Sequence, residues 1–243
     1  MGEIIMNIRC RQICGKGALH ERMQCGIKDQ IRTFENERYA AVIVADGVSE
    51  AKNGAQGAEL ACCAVEDYIG HEGENVFAFS KQKLAYLMTE HILYQIEKAA
   101  EREQCELTDY ASTIMFVCAD KLTGFAVCFN LGDGRVLMAD NRGESLTELR
   151  SYRSEAGCCQ TTTQEAYRFV KAGRLELRAG ESLMLCTDGF AEALRDENIQ
   201  KALKSYINNE NDNGLKEMLR EKQLCDDYTC AILMRQIPEG AGT

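Results

Sequence analysis

Short apolar segments recur along the chain at 4–13, 39–45, 113–118, 124–130, 135–139, 182–186 and 229–235, most of them separated by turn residues. Segments of that length and apolar content read as β-strands. Asp120-Lys121-Leu122-Thr123-Gly124 and Gly132-Asp133-Gly134 punctuate the middle group as hairpin turns do, which predicts antiparallel neighbours. A helical period is clearest over 80–103, where Leu84, Leu87, Met88, His91, Ile92, Gln95, Ile96 and Ala99 form one stripe. Shorter helices are expected over 57–68, 197–207 and 214–223. Strands, two helices, many strands, two helices and a last strand form a run-wise order. That order predicts an α+β fold with antiparallel sheets buried by helix pairs, not a doubly wound parallel sheet. The only proline, Pro238, lies in a Pro-Glu-Gly-Ala-Gly-Thr tail, and no proline-rich or Gly/Ser-rich linker divides the chain. A single domain over 1–237 with a disordered tail at 238–243 is therefore expected.

Charge and cysteine usage exclude several functions. The net charge of -10 over 243 residues repels a nucleic-acid backbone, so no nucleic-acid partner is expected. The longest apolar run, 39–45, is too short to span a bilayer, and residues 1–10 lack the pattern of a signal peptide. A cytoplasmic protein with no membrane partner is the expectation. The 13 cysteines form an odd set, and Cys118, Cys128 and Cys186 sit inside apolar runs, which reads as buried reduced thiols. The close pairs Cys10/Cys14, Cys62/Cys63, Cys158/Cys159 and Cys225/Cys230 include no Cys-x-x-Cys, so a structural zinc site is disfavoured. No Cys-x5-Arg loop is present: the sixth residue after Cys14 is His20, after Cys25 Ile31 and after Cys186 Glu192.

Three aspartates stand where an apolar strand begins or stops. Val42-Ile43-Val44-Ala45 runs into Asp46-Gly47, Leu183-Met184-Leu185-Cys186-Thr187 runs into Asp188-Gly189, and Asp226-Asp227 precedes Thr229-Cys230-Ala231-Ile232-Leu233. A carboxylate at a strand end is held rigidly while facing a cleft, and several that converge are discharged by bound cations. Asp-Gly also makes ordinary turns, and spacing alone does not distinguish the two.

The contexts, taken in order, resemble the metal-dependent protein phosphatases, the PPM or type-2C Ser/Thr phosphatases. The matching blocks are Ala45-Asp46-Gly47-Val48-Ser49 with 53–61 behind it, Ala111-Ser112-Thr113, Asn130-Leu131-Gly132-Asp133-Gly134-Arg135, Leu185-Cys186-Thr187-Asp188-Gly189-Phe190 and Asp226-Asp227-Tyr228-Thr229. His20, nine residues before Asp29, resembles a block of the family's bacterial branch. The resemblance implies a four-layer αββα sandwich with the active site at one edge. It implies a hydrolase of phosphoserine and phosphothreonine that uses a metal-activated water, its partners being phosphorylated proteins, a Ser/Thr kinase or that kinase's targets. By motif position, Asp46 would bridge two Mn²⁺ or Mg²⁺ ions, the Gly47 carbonyl would bind one, and Asp188 and Asp226 the other. Asp133 would help hold a third, weaker ion, and Asp29 would orient water, so that Asp46, Asp188 and Asp29 carry the catalysis. Ligands that are all oxygen suit such hard cations.

The chain departs from the family pattern at four places. Lys28 precedes Asp29 where many members have Glu or Gln, which would put a cation near the metals. Ser49 replaces a glycine, and Val48 replaces the histidine that some members use as a proposed proton donor, leaving metal-bound water or His20 for that role. The family's phosphate-binding arginine has no counterpart at its usual place, Arg22 being the nearest. His91 reads as a core-capping residue and His71 as part of a Gly/Glu loop. Lys28 and Ser49 motivate an alternative, a catalytically weak regulatory or binding domain with the same fold. The strand-end carboxylates, which repel one another without a cation, favour the enzyme. A phosphatase of small phosphoesters is not separated from these by sequence. Substrate selection is expected from 142–172, since loops between rigid elements carry specificity.

Overall fold

The computed structural model describes residues 6–140, 145–153, 160–208 and 213–237. The tail at 238–243, Cys158, Cys159 and parts of the 142–172 segment lie outside them.

Two five-stranded sheets pack face to face, and every pairing within them is antiparallel. The first runs in the order β1 (Ile8–Gly15), β10 (Tyr228–Arg235), β9 (Ser182–Cys186), β6 (Arg135–Ala139), β7 (Leu146–Glu148). The second runs β2 (Gln30–Glu35), β3 (Tyr39–Ala45), β4 (Ile114–Asp120), β5 (Phe125–Leu131), β8 (Lys171–Glu176). Helices α2 (Gly54–Ala78) and α3 (Lys81–Glu103) cover the second sheet. Helices α4 (Asp188–Ala193), α5 (Glu197–Asn208) and α6 (Asn213–Glu221) cover the first, and α1 (Ala18–Arg22) follows β1. This is the four-layer αββα arrangement.

The apolar runs follow from that layering. In β3, Tyr39, Ala41, Ile43 and Ala45 face α2 and α3, while Ala40, Val42 and Val44 face the other sheet. Both faces are covered, so the strand carries no polar alternation. Phe116 of β4 and Phe129 of β5 stack at 4.9 Å beneath α3, with Met88, Ile92 and Ile96 completing the layer. Ser80 caps α3 by accepting from the Lys83 amide.

The structure corrects three expectations. The 120–124 turn joins the paired strands β4 and β5, but Gly132-Asp133-Gly134 is not a hairpin: β5 and β6 lie in different sheets, and the chain crosses between them there. Gly132, at φ 140°, lets the backbone make that crossing. His71 lies within α2 rather than in a loop; the helix continues through a non-helical Glu72 to Ala78. The described thiols are free but not uniformly buried, since Cys14 and Cys225 are exposed. Among the described residues, no helix is long and apolar enough to cross a membrane.

Candidate active site

The sandwich topology brings one end of several strands to a common edge, where the acidic residues singled out above stand. Asp46 follows the last residue of β3, and its main chain is clamped to the segment before β4: Thr113 Oγ1 accepts from the Asp46 amide at 3.1 Å, and the Asp46 carbonyl accepts from the Thr113 amide at 2.8 Å. Gly47 is buried and forms a bridge with Ser112. Asp188 is the first residue of α4, directly after β9, and accepts from the Gly189 amide at 2.7 Å. Asp226 accepts from the Asp227 amide at 2.9 Å just before β10 begins. Asp133 sits exposed on the crossing between the two sheets.

The electrostatics tie these groups together. Burial pushes the Asp46 carboxyl well above the usual carboxylate range, and the negative charges of Asp29, Asp188 and Asp226 push it further. Partial desolvation raises Asp188 too, followed by the charges of Asp133 and Asp226. Asp29 is buried and raised chiefly by that burial, with Asp227 adding repulsion, while hydrogen bonds from Thr229 and Thr187 oppose the shift. The Thr187 hydroxyl donates to Asp29 Oδ2 at 3.0 Å. The Asp29 and Asp46 carboxyls also act on each other directly, Asp46 being the more strongly raised of the two.

Such a set fits hard divalent cations. All its donors are oxygens, and the carboxylates raise one another's proton affinity, a repulsion that bound cations relieve. Among the described residues, no three His, Cys, Asp or Glu side chains close on one point tightly enough to enclose an ion by themselves.

A stability test follows from the raised carboxyls. A carboxyl held above its unfolded value binds its proton more tightly in the folded chain. Its contribution is present at and below the ordinary carboxylate range and is lost as pH rises through the folded value. The chelator-treated protein should therefore melt several degrees higher at about pH 5.5 than at about pH 8, since each unit of raised affinity is worth about 1.4 kcal/mol. Asp196 and Glu103, whose carboxyls are lowered by hydrogen bonds from Lys222 and Gln56 first, act with the opposite sign only below that window. Differential scanning fluorimetry with Asp46→Asn as reference checks it: the pH difference should shrink in the variant, and an equal difference in both proteins would refute the origin.

The structure separates the two adjacent aspartates before β10. Asp227 is buried and accepts from the Gly17 amide at 2.8 Å and the Lys28 amide at 2.7 Å, with His20 Nδ1 2.9 Å from its Oδ2. Asp227 thus holds the β1–α1 connection and the approach to β2 against β10, and His20 has the partner that its sequence context did not reveal. Two glycines fix the same segment by close approach. A Cβ on Gly189 would lie 2.1 Å from the Asp227 carbonyl oxygen, and one on Gly17 2.2 Å from the Asp226 carbonyl carbon.

Lys28 and Ser49, the two departures named above, meet: Lys28 Nζ donates to the Ser49 carbonyl at 2.7 Å. Arg22 is exposed in the last turn of α1 and makes no ion pair with the carboxylates among the described residues. His91 packs edge-on to Tyr68 at the side of α3. Thr113, Thr187 and Asp227 support the site without having been singled out by sequence. Their signal was position alone, each lying within one residue of a matched block or inside it.

Residues 15–224 match the family model of protein phosphatase 2C. Among curated proteins none matches the sequence. The fold is similar to that of the catalytic domain of serine threonine protein phosphatase PstP in complex with 2 manganese ions, at 16% identity and TM-score 0.67 over 95% of this chain and 99% of that one. It is also similar to the S. agalactiae serine/threonine phosphatase, at 17% identity and TM-score 0.67 over 95% of this chain and 100% of that one. RsbX in complex with magnesium is similar at 12% identity and TM-score 0.61, over 94% of this chain and 96% of that one. At these identities the structures speak for the fold, and the matched family model spans most of the sequence: the chain belongs to the protein phosphatase 2C family.

Proposed function

We propose that this chain is a cytoplasmic, metal-dependent phosphoprotein phosphatase acting on phosphoserine and phosphothreonine, with residues 1–237 forming its one catalytic domain. The observation that carries the reading is the gathering of Asp46, Asp133, Asp188 and Asp226 from four separate segments to one edge of the sandwich, where Asp46 and Asp188 are raised by burial and then by their neighbours' charges. Asp46 and the Gly47 carbonyl would hold one ion, Asp46, Asp188 and Asp226 a second, and Asp133 a weaker third. Bound there, two Mn²⁺ or Mg²⁺ ions supply charge neutralisation for a phosphoryl group and water of lowered proton affinity.

The chain's own residues set the geometry. The paired main-chain bonds to Thr113 keep the Asp46 carboxylate from turning away with its loop. The Thr187 hydroxyl fixes Asp29 Oδ2 and so holds the Asp29 carboxyl in place beside Asp46. Cys186 and Cys230, at the end of β9 and near the start of β10, are fully buried with their sulfurs 3.6 Å apart, and burial pushes the Cys230 thiol well above its usual value. The tie between Lys28 and Ser49 spends the Lys28 ammonium on a carbonyl. The two departures that motivate the alternative, a catalytically weak regulatory or binding domain with the same fold, are thus one contact.

Activity on p-nitrophenyl phosphate and on a phosphothreonine peptide should fall to background in EDTA. It should return with Mn²⁺ or Mg²⁺ and survive iodoacetamide applied to the folded protein. Turnover that persists in chelator, or that alkylation abolishes, would overturn the reading.

A further inference from the structure

A cavity of about 580 Å³ opens between the start of α3 and β8, lined among others by Lys81, Tyr86, Ser151, Tyr167, Arg168 and Lys171. Three of these are cations, and no acidic residue among the described ones lines it. Lys81 and Lys171 have no acidic partner among the described residues; Arg168 pairs with Glu165 at 2.7 Å. Tyr86 and Tyr167 meet edge to face at 5.4 Å, and Tyr86 is 48% exposed. In a chain of net charge -10, a concave basic and aromatic surface concentrates anions locally. A second cavity, about 470 Å³ near Arg38 and Arg174, carries Glu74 and Asp120 beside its arginines and has no such bias.

The groove is linked to the candidate site. Lys171 pairs in register with Asn130, whose side-chain amide donates to the Gly134 carbonyl at 3.0 Å and the Tyr152 carbonyl at 2.9 Å. The Asp133 crossing and the Ser151–Lys171 end of the groove therefore share one anchor. Thr161, in the segment that leads to Tyr167, is tied to Ser112 beside Thr113. Neighbouring strands lie about 4.8 Å apart and an extended peptide advances about 3.3 Å per residue, so a few residues of substrate reach from the groove toward the Asp133 crossing. We propose that this groove docks an acidic stretch of the phosphoprotein substrate, a few residues from the phosphorylated side chain. Lys81 and Lys171 contact its carboxylates, and Tyr86 and Tyr167 form the floor. The proposal rests on the phosphatase reading above.

Two phosphothreonine peptides test it, one with an Asp/Glu-rich stretch about four residues from the phosphate and one with Ser/Asn there. The acidic peptide should have a kcat/KM about tenfold higher, mainly through KM, and the preference should fade as salt is raised. The Lys81→Glu/Lys171→Glu variant, with its circular dichroism and melting temperature unchanged, should lose the preference and keep its rate on p-nitrophenyl phosphate. Fluorescence anisotropy with the unphosphorylated acidic peptide reads the groove without catalysis: binding should be measurable with the wild type and lost in the variant. Should p-nitrophenyl phosphate not be turned over at all, the phosphatase reading falls, and the anisotropy still decides the groove. Absence of peptide binding, equal rates on both peptides, or tighter binding of a single-stranded oligonucleotide of the same charge would overturn the proposal.

Discussion

Asp46→Asn should reduce phosphatase turnover by about 10³-fold or more at saturating Mn²⁺ while the ion-free protein melts at a higher temperature than the parent. The two effects have one cause. Burial raises the Asp46 carboxyl most, and the charges of Asp29, Asp188 and Asp226 raise it further. An amide needs no proton to sit there, so the variant escapes the penalty that the empty site places on the Asp46 charge. The same charge is what a bridging ligand offers two ions, and losing several kcal/mol of transition-state stabilisation corresponds to about 10³-fold in rate. The fold should tolerate the change, because the bonds to Thr113 use the Asp46 main chain and not its side chain. Fluorimetry in EDTA and initial rates with Mn²⁺ check both halves. Parental turnover in the variant would remove Asp46 from the ion-binding set, and a lower ion-free melting temperature would mean that the cluster is already neutral.

What the sequence made legible in the fold divides by position in the sheets. The inner strands β3, β4, β5, β6, β9 and β10 all read as apolar runs because both of their faces are covered. Three edge strands did not. β2 reads Gln-Ile-Arg-Thr-Phe-Glu and β8 Lys-Ala-Gly-Arg-Leu-Glu, and β7 has only three residues. Edge strands carry charge and stay short, which keeps their unpaired backbone from recruiting other strands, so their pattern resembles a loop. The misread at Gly132–Gly134 has a related cause: a Gly-Asp-Gly turn looks the same whether the next strand pairs with the last or joins another sheet.

The acidic residues were legible because strand ends are where rigid scaffold meets solvent, and the sequence marks each with Asp-Gly or Asp-Asp. Their division of labour was not. Asp226 and Asp227 are identical in type and adjacent, yet Asp227 is consumed by the Gly17 and Lys28 amides and His20, partners about two hundred positions away. Nothing local to Asp226-Asp227 encodes that. Lys28 and Ser49 read as two separate defects because each was compared with a family position; in the fold they are one contact. Arg22 shows the converse, a cation near the right place in sequence that the short helix α1 leaves in solvent.

Gly189→Ala should cost about 10² in kcat/KM and raise the Mn²⁺ concentration needed for half-maximal activity, although alanine is the better helix former. Helix propensity favours the substitution by about 1 kcal/mol at most in the first turn of α4. Against it stands a contact of 2.1 Å between the added Cβ and the Asp227 carbonyl oxygen, with the Asp227 carbonyl carbon at 3.1 Å. Both are backbone atoms at the start of a central strand, so no side chain can swing away to make room. Relief requires the Asp226–Asp227 segment to move by about 1 Å, a displacement that costs on the order of 10²-fold where reacting groups must be aligned. Gly17 presses on the same segment, which limits the directions in which it can retreat. The misplaced groups are the candidate ligand Asp226 and, through Asp227, the anchor of the Gly17 and Lys28 amides. Sterics should therefore outweigh propensity, and activity should fall further than stability. Gly214→Ala is the control, since a Cβ on that helical glycine meets nothing within 4 Å and should leave activity unchanged. Parental kcat/KM with an unshifted Mn²⁺ requirement in Gly189→Ala would mean that the segment yields without carrying Asp226 with it, and the close approach at this edge would then serve packing alone.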